Sequence, residues 1–301
     1  MKKFLGKIIC TIVVIVPMAA VAWPTRPITM VLTSPPGAAT DQIARTVQDK
    51  LTKKLGVPIT IVYKPGADGM IGTKFVVQNN DDHTILLSTG QVNALREPVG
   101  DHTLDNLKAI SIVAVSPSVV VTAAASGIVD AKKMLETNTL TSGAASGAIS
   151  EFLIKATNPN WVYAGYKGGA PMFIDVMGKH LDIGANSLIG SYSHIINGKL
   201  RPLMIYSKSR FPQLPEVSTS QELGVPYVGE IWFGFLGTRS MSDKTITRLS
   251  DEISKIAKSP EFYDKFTKQG AVVLGLDPVE SQRYITKDLE NLTKLYKQIN
   301  R

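Results

Sequence analysis

Strand-like and helix-like segments alternate along nearly the whole chain, and that alternation most restricts what it can fold into. Short apolar runs bounded by Gly, Pro, Asn or Asp are followed by stretches with apolar residues three or four apart. This is the pattern of an α/β protein whose strands are mainly parallel and whose helices cover the sheet faces. Ile28–Leu32 reads as a buried strand. Thr40–Leu55 follows as a helix with Ile43, Val47, Leu51 and Leu55 on one stripe and Gly56 as its stop. Further strands are expected at Pro58–Tyr63 and Thr84–Leu87, with a helix at Ile71–Val77 between them. A strand pair broken at Pro117 is expected over Ile110–Thr122. Strands near Leu140–Thr141, Trp161–Ala164, Leu181–Ala185 and Pro202–Tyr206 form a second group, and Ile231–Leu236 returns to strand-like sequence. Two amphipathic helices close the chain, Lys244–Lys258 and Pro278–Ile299, the second with Asp277 as its N-cap.

A length of 301 residues suits two lobes better than one small domain. The expected division places lobe 1 at residues 23–122 and 233–301 and lobe 2 at 123–232, with hinge crossings near 120–125 and 230–236. Before lobe 1, Lys2, Lys3 and Lys7 precede an apolar block from Ile8 to Met18 and then Ala20-Val21-Ala22. That is the layout of a secretory signal peptide cleaved after Ala22, which places the mature protein in the periplasm. A membrane anchor fits poorly, because the block is interrupted by Pro17 and falls short of the roughly twenty apolar residues a bilayer requires.

Cys10, the single cysteine, lies in this leader behind Ile9, so neither lipidation nor thiol chemistry of the mature chain is expected. Loss of residues 1–22 removes three lysines and no acid. The formal charge falls from +8 to +5, 30 basic against 25 acidic residues. The basic residues are scattered, and pairs such as Lys53-Lys54 and Lys132-Lys133 read as solvated helix faces; no nucleic-acid partner is expected. His83, His102, His180 and His194 have no metal-ligand spacing, and Ser146 stands outside a Gly-x-Ser-x-Gly elbow. With no nucleotide-binding glycine motif either, the sequence points to no cofactor, no metal, no catalytic residue and a monomer that binds without converting.

Four loops offer a ligand small residues and hydrogen-bond donors at strand exits, where ligands of open α/β sheets bind. The first is Ser34–Asp41, with Gly37, Ala38, Thr40 and Asp41; Thr40 could cap the helix or donate its hydroxyl, and Asp41 could orient loop amides. The second carries Thr89 and Asn93, following the polar turn Ser88–Gln91; the third, Ser142–Gly147, contains Ser142, Gly143 and Ser146. The fourth is Tyr166–Pro171, with Tyr166, Lys167 and Gly168.

Trp23-Pro24 through Pro27-Ile28, Pro35-Pro36-Gly37 with Thr40-Asp41, and Lys64-Pro65-Gly66-Ala67 with Gly69 and Gly72 occur in that order. Tyr166-Lys167-Gly168, Gly198–Arg201, Leu214–Val217, Glu222–Gly224 and Trp232–Gly234 follow them. Together these resemble the periplasmic solute receptors of tripartite tricarboxylate transporters, the Bug proteins. The resemblance implies a two-lobed Venus-flytrap periplasmic binding protein fold with crossing hinge strands. It further implies a small carboxylate held between the lobes and delivered to the membrane permease subunits of such a transporter, or presented to a membrane sensor. On that basis Gly37, Thr40, Asp41, Ser142, Gly143, Tyr166 and Gly168 carry over as ligand-binding, joined by Ala38, Thr89, Asn93, Ser146, Lys167, Asn186 and Ser187. The chain departs from the family pattern at Ser34, usually aromatic, and at Ala38, usually a second glycine. Ile149 stands near a frequent histidine, and Asn186 stands where aspartate is common.

Overall fold

The computed structural model describes residues 23–90, 103–144, 154, 157–225 and 229–299. The first lobe opens with β1 (Ile28–Leu32), α1 (Ala39–Leu55), β2 (Ile59–Tyr63), α2 (Met70–Asn79) and β3 (Thr84–Thr89). The long strand β4 (Leu107–Ala123) leads into the second lobe: α3 (Ala131–Glu136), β5 (Thr141–Ala144), β6 (Val162–Gly165), α4 (Gly169–Met177), β7 (Ile183–Ser187), α5 (Leu188–Ile196), β8 (Leu200–Ile205) and β9 (Ser218–Thr219). The chain returns through β10 (Glu230–Thr238) and ends with α6 (Asp243–Ala257), α7 (Pro260–Lys268), β11 (Val272–Val273) and α8 (Pro278–Ile299).

Each lobe is built on a parallel trio of strands, β2-β1-β3 in the first and β6-β5-β7 in the second. Both trios are completed by antiparallel pairing to the crossing strands. β10 runs between β3 and β4, and the far half of β4 runs between β7 and β8. β4 therefore belongs to both sheets. Its pairing with β10 extends to Pro117, and its pairing with β7 begins at Ser118. The handover lies ahead of the 120–125 stretch expected from sequence. Nor is the strand broken at Pro117, because a residue without an N–H is tolerated where a strand changes partners and no ladder bond is required of it.

The unbroken apolar run of β4 follows from burial on both faces. In the first lobe Ile110, Val113 and Ala114 join the side covered by α1 and α6, while Ile112 and Val115 face the side covered by α2 and α8. The strict alternation fails between residues 112 and 115 because β4 and β10 slip register there. In the second lobe Val119 and Val121 pack with Phe173 and Val176 of α4, and Val120 packs with Met134 and Trp161 on the opposite face. Ile189, on the first turn of α5, joins the first lobe's core and ties the lobes together.

Three local expectations need correction. Ser88 and Thr89 are the buried last residues of β3 rather than a polar turn, and Ser142–Ala144 are strand rather than loop. Three helices, not two, follow β10: Phe262 and Phe266, four apart and fully buried, give α7 its apolar stripe behind Ser259-Pro260.

Candidate functional site

Strand register brings the carboxyl ends of both parallel trios to one short stretch of β4. Thr89, the last residue of β3, pairs with Phe233 of β10, which in turn pairs with Ala114; Ser187, the last residue of β7, pairs with Ser118. The strand exits of the two lobes therefore converge at the handover point, the place where α/β sheets bind ligands.

The first exit loop is organised by Asp41. Its carboxylate accepts hydrogen bonds from the Gly37 amide at 2.8 Å, the Tyr63 hydroxyl at 2.7 Å and the Arg45 guanidinium at 2.9 Å. Asp41 is buried while Arg45 is exposed. Burial pushes the Asp41 carboxyl up, but the bonds from Gly37, Tyr63 and Arg45 outweigh it and hold the group below the ordinary aspartate range. The residue thus orders the loop and has its oxygens occupied in doing so. Gly37 sits at φ +83°, where a side chain is strained, yet a Cβ there would meet no atom within 4 Å. Thr40 does not cap α1: the N-cap is Ala38, which has no acceptor, and the fully buried Thr40 hydroxyl has no partner among the described residues. The buried Ser88 hydroxyl at the end of β3 is likewise without a partner there.

A cavity of about 170 Å³ lies between the exits, walled by Thr33, Ser34 and Gly66–Gly69 of the first lobe and Gly165–Gly168 of the second. The lobes meet beside it, where a Cβ on Gly168 would fall 2.5 Å from the Pro35 ring. Gly66, Ala67, Asp68 and Gly69 have φ of +117°, +46°, +51° and +90°. Four successive positive φ values are costly for the two that are not glycine, roughly 1–2 kcal/mol each. Packing holds the turn in place. The Gly69 amide donates to the Gly66 carbonyl at 3.0 Å, Thr73 donates to the Gly69 carbonyl at 2.9 Å, and Gly69 and Gly72 press on the Thr33 side chain. Opposite, the Tyr166 hydroxyl donates to Asp175 at 2.5 Å, and burial together with that carboxylate pushes its pKa up to about 12. Tyr166 is a neutral ring with its hydroxyl engaged, and the exposed Lys167 supplies the cation of this wall.

Helix ends give the cavity its electrostatic character. The helices α1, α2 and α4 start at Ala38, Gly69 and Gly168, none of which offers a side-chain acceptor to the first-turn amides. Gly69 and Gly168 themselves line the cavity. The start of α2 continues a 3₁₀ turn, and its Met70 amide donates to the Ala67 carbonyl, whereas amide ends left free, with the positive end of the helix dipole, stabilise an anion. Two larger crevices, of about 820 and 960 Å³, border α8, and the second is also lined by Pro117 and Glu230 beside the handover of β4. Among the described residues no group of three or more His, Cys, Asp or Glu side chains could hold a metal ion.

Of the residues named from sequence, Tyr166, Lys167 and Gly168 line this cavity, whereas Gly37 and Ala38 lie in the loop that follows its Ser34 wall and Thr40 and Asp41 in the first turn of α1. Ser142 is fully buried and donates to the Val162 carbonyl at 2.9 Å, and Gly143 makes room for Leu181 and the Tyr166 ring. Thr89 is buried in β3. Asn186 accepts from the Ser187 amide at 2.8 Å and packs its amide group against Gly169 and Gly190, at the starts of α4 and α5, while Ser187 caps α5. Asn93 and Ser146 lie outside the described residues. Ser34 belongs to the first candidate loop, whereas sequence reasoning missed Thr33, Ala67 and Asp68 as cavity walls. The signal was present in Pro65–Gly69, a glycine-rich turn at a strand exit.

The family model described as the tripartite tricarboxylate transporter family receptor matches residues 43–301. The chain belongs to that family, whose members are periplasmic solute-binding receptors. It is 27% identical over 305 residues to the protein BugT of Bordetella pertussis, covering 95% of this chain and 93% of that one. Among solved structures it resembles R. palustris Rpa4515 with adipate, with a TM-score of 0.85 at 23% identity over 93% of this chain and 99% of that one. It also resembles MatC from Rhodopseudomonas palustris with bound malate, with a TM-score of 0.83 at 19% identity over 91% and 99% of the two chains. These likenesses establish the two-lobed periplasmic binding protein fold. Among the described residues no helix is long and apolar enough to cross a membrane.

Proposed function

We propose that the protein captures a small carboxylate between its lobes, without converting it, and hands it to the permease subunits of a tripartite tricarboxylate-type transporter. The observation that carries this reading is the cavity between the lobes, lined by Gly69 and Gly168 at the starts of α2 and α4, neither of which has a side-chain cap. A buried carboxylate needs donors to replace its water, and free first-turn amides provide them without a dominant cation. Adipate and malate, bound by the two structural relatives, are both of that class. The second lobe rotates toward the first about the β4 and β10 crossings, with Gly168 and Pro35 close to each other where the lobes meet. Residues 1–22 serve as the export signal and are removed.

Calorimetry with the carboxylate retained by the purified protein tests the reading, with an expected dissociation constant of about 1 µM or tighter, equivalent to roughly −8 kcal/mol. A protein that retains no carboxylate and binds none from a panel of small mono- and dicarboxylates would overturn it. Turnover of the retained ligand would identify an enzyme instead. Recovery of a membrane sensor rather than permease subunits with the liganded protein would redirect the delivery step.

A further inference from the structure

Two glycines with positive φ each receive an apolar side chain from the opposite lobe, and they do so in opposite senses. Beside the cavity, Gly168 of the second lobe, at φ +122°, lies against the Pro35 ring of the first. In the turn between α7 and β11, Gly270 of the first lobe, at φ +92°, lies against Leu188 of the second, the first residue of α5. A Cβ on Gly270 would fall 2.4 Å from Cδ2, 2.7 Å from Cγ and 3.3 Å from Cβ of Leu188. Turning the tip of the leucine aside would not clear the clash, because Cγ is also too near. Nor can the side chain withdraw: Leu188 has no exposed surface and belongs to the second lobe's core with Val119, Phe173 and Ile205.

This seat adjoins the handover of β4. Ser187, which precedes Leu188, pairs with Ser118. The buried Ser116 hydroxyl lies 3.4 Å from the Gly270 carbonyl and accepts from the Ile189 amide at 3.3 Å. Across the same junction the Gln213 side-chain amide donates to the Thr267 carbonyl at 3.2 Å. Near a pivot, a small change in spacing becomes a large change in angle, and so in the width of the cleft farther out. We propose that Leu188 and Gly270 are positioning residues: their contact is the stop that fixes the angle between the lobes around a bound ligand, and the missing side chain at Gly270 sets how near the lobes come. The inference rests on the lobes closing on a carboxylate and adds to that reading what limits the closure.

Three variants test it, using calorimetry and X-ray scattering with whichever of malate, adipate, succinate and glutarate binds the parent most tightly. Gly270→Ala introduces the collision. Gly270→Ala combined with Leu188→Ala keeps the strained alanine and removes the collision. Leu188→Cys with Gly270→Cys sets two Cβ atoms 3.3 Å apart in a chain that has no other cysteine from Trp23 onward, near the roughly 3.5–4.5 Å of a disulfide. Gly270→Ala should weaken binding by about tenfold or more and leave the liganded particle larger than the parent's, and the double alanine variant should return to within about threefold of the parent. The oxidised cysteine pair should hold one particle size with or without ligand, and reduction should restore the contraction. Unchanged affinity and size in Gly270→Ala overturn the proposal, as does a loss that Leu188→Ala does not rescue, which would assign the effect to backbone strain. Where the alanine variants do not fold, the cysteine pair decides: failure to form the disulfide, read by mass, or an oxidised particle that still contracts with ligand overturns the stop. A parent that binds none of the four acids overturns the carboxylate reading alone. The stop is then judged on the empty cysteine pair, which should be smaller oxidised than reduced, equal sizes overturning it.

Discussion

The helices that start at the lobe junction and those that start elsewhere solve the same problem in opposite ways. Away from the cavity, Asp130 caps α3 with a bond to the Lys133 amide at 2.7 Å, Ser242 caps α6 at 3.1 Å, and Asp277 caps α8 at 2.8 Å. At the junction, α1, α2 and α4 begin at Ala38, Gly69 and Gly168 and leave their first amides without a side-chain acceptor. A side-chain cap contributes about 1 kcal/mol. On the proposed function, a ligand anion offsets the missing caps. Two helices limit the contrast: α5 follows a parallel strand yet is capped by Ser187, and α7, away from the cavity, starts at Ser259 without a side-chain cap bond.

The largest break in this comparison should come from Gly168→Val. Its Cβ would collide with Pro35 at 2.5 Å, and φ of +122° is strained for valine. Ligand affinity should fall by a factor of 100 or more, roughly 3 kcal/mol, by calorimetry. X-ray scattering should show the variant failing to contract with ligand.

Asp41→Ala comes next, since it strips the acceptor from the Gly37 amide, Tyr63 and Arg45. A loss of about 1–3 kcal/mol of stability is expected in urea titrations, together with weaker binding as the loop loosens. A related test uses pH. Because the folded Asp41 carboxyl lies below its unfolded value, its contribution is present above about pH 4 and is lost as pH falls through the folded pKa. The acid limb of the stability curve should therefore be shallower in Asp41→Asn than in the parent.

Smaller and more diagnostic is Ala38→Asp. The extended backbone at Ala38, φ −71° and ψ 169°, suits a capping residue. Thermal unfolding should show a gain of about 0.5–1 kcal/mol without ligand. Affinity for the carboxylate should fall about tenfold, because a fixed carboxylate then competes for the same amides. The smallest effect belongs to Ser242→Ala, which should cost about 1 kcal/mol of stability and leave affinity unchanged. Equal effects of Ala38→Asp and Ser242→Ala on binding would remove the distinction between the two kinds of helix start.

Gly37 shows how a residue can be singled out for an incomplete reason. Its place in a loop of small residues points to close approach by a ligand, yet its Cβ direction is open and the constraint is the positive φ. A replacement there would act by disturbing the loop that Asp41 organises. Ser142 and Gly143 likewise belong to a small-residue run, and both lie in β5, where the Ser142 hydroxyl donates to the Val162 carbonyl. Composition records that residues are small and polar. It does not record whether their hydroxyls and amides are already used by the sheet.

What the sequence determined by itself were properties of short range or of pattern. The period of apolar residues sets α1, α6 and α8; Gly56 ends α1 in the left-handed conformation; Asp277 and Pro278 start α8; and the alternation of elements yields two α/β lobes. Tertiary structure decided what depends on residues far apart. β4 continues through Pro117 because β10 and β7 take it up from either side, and Pro65–Gly69 becomes a cavity wall because Gly165–Gly168 is brought opposite it. The physical reason is that burial and strand pairing are summed over the whole fold. A local stretch of sequence can specify its own backbone, but not which of its donors will still be free when distant strands have made their claims.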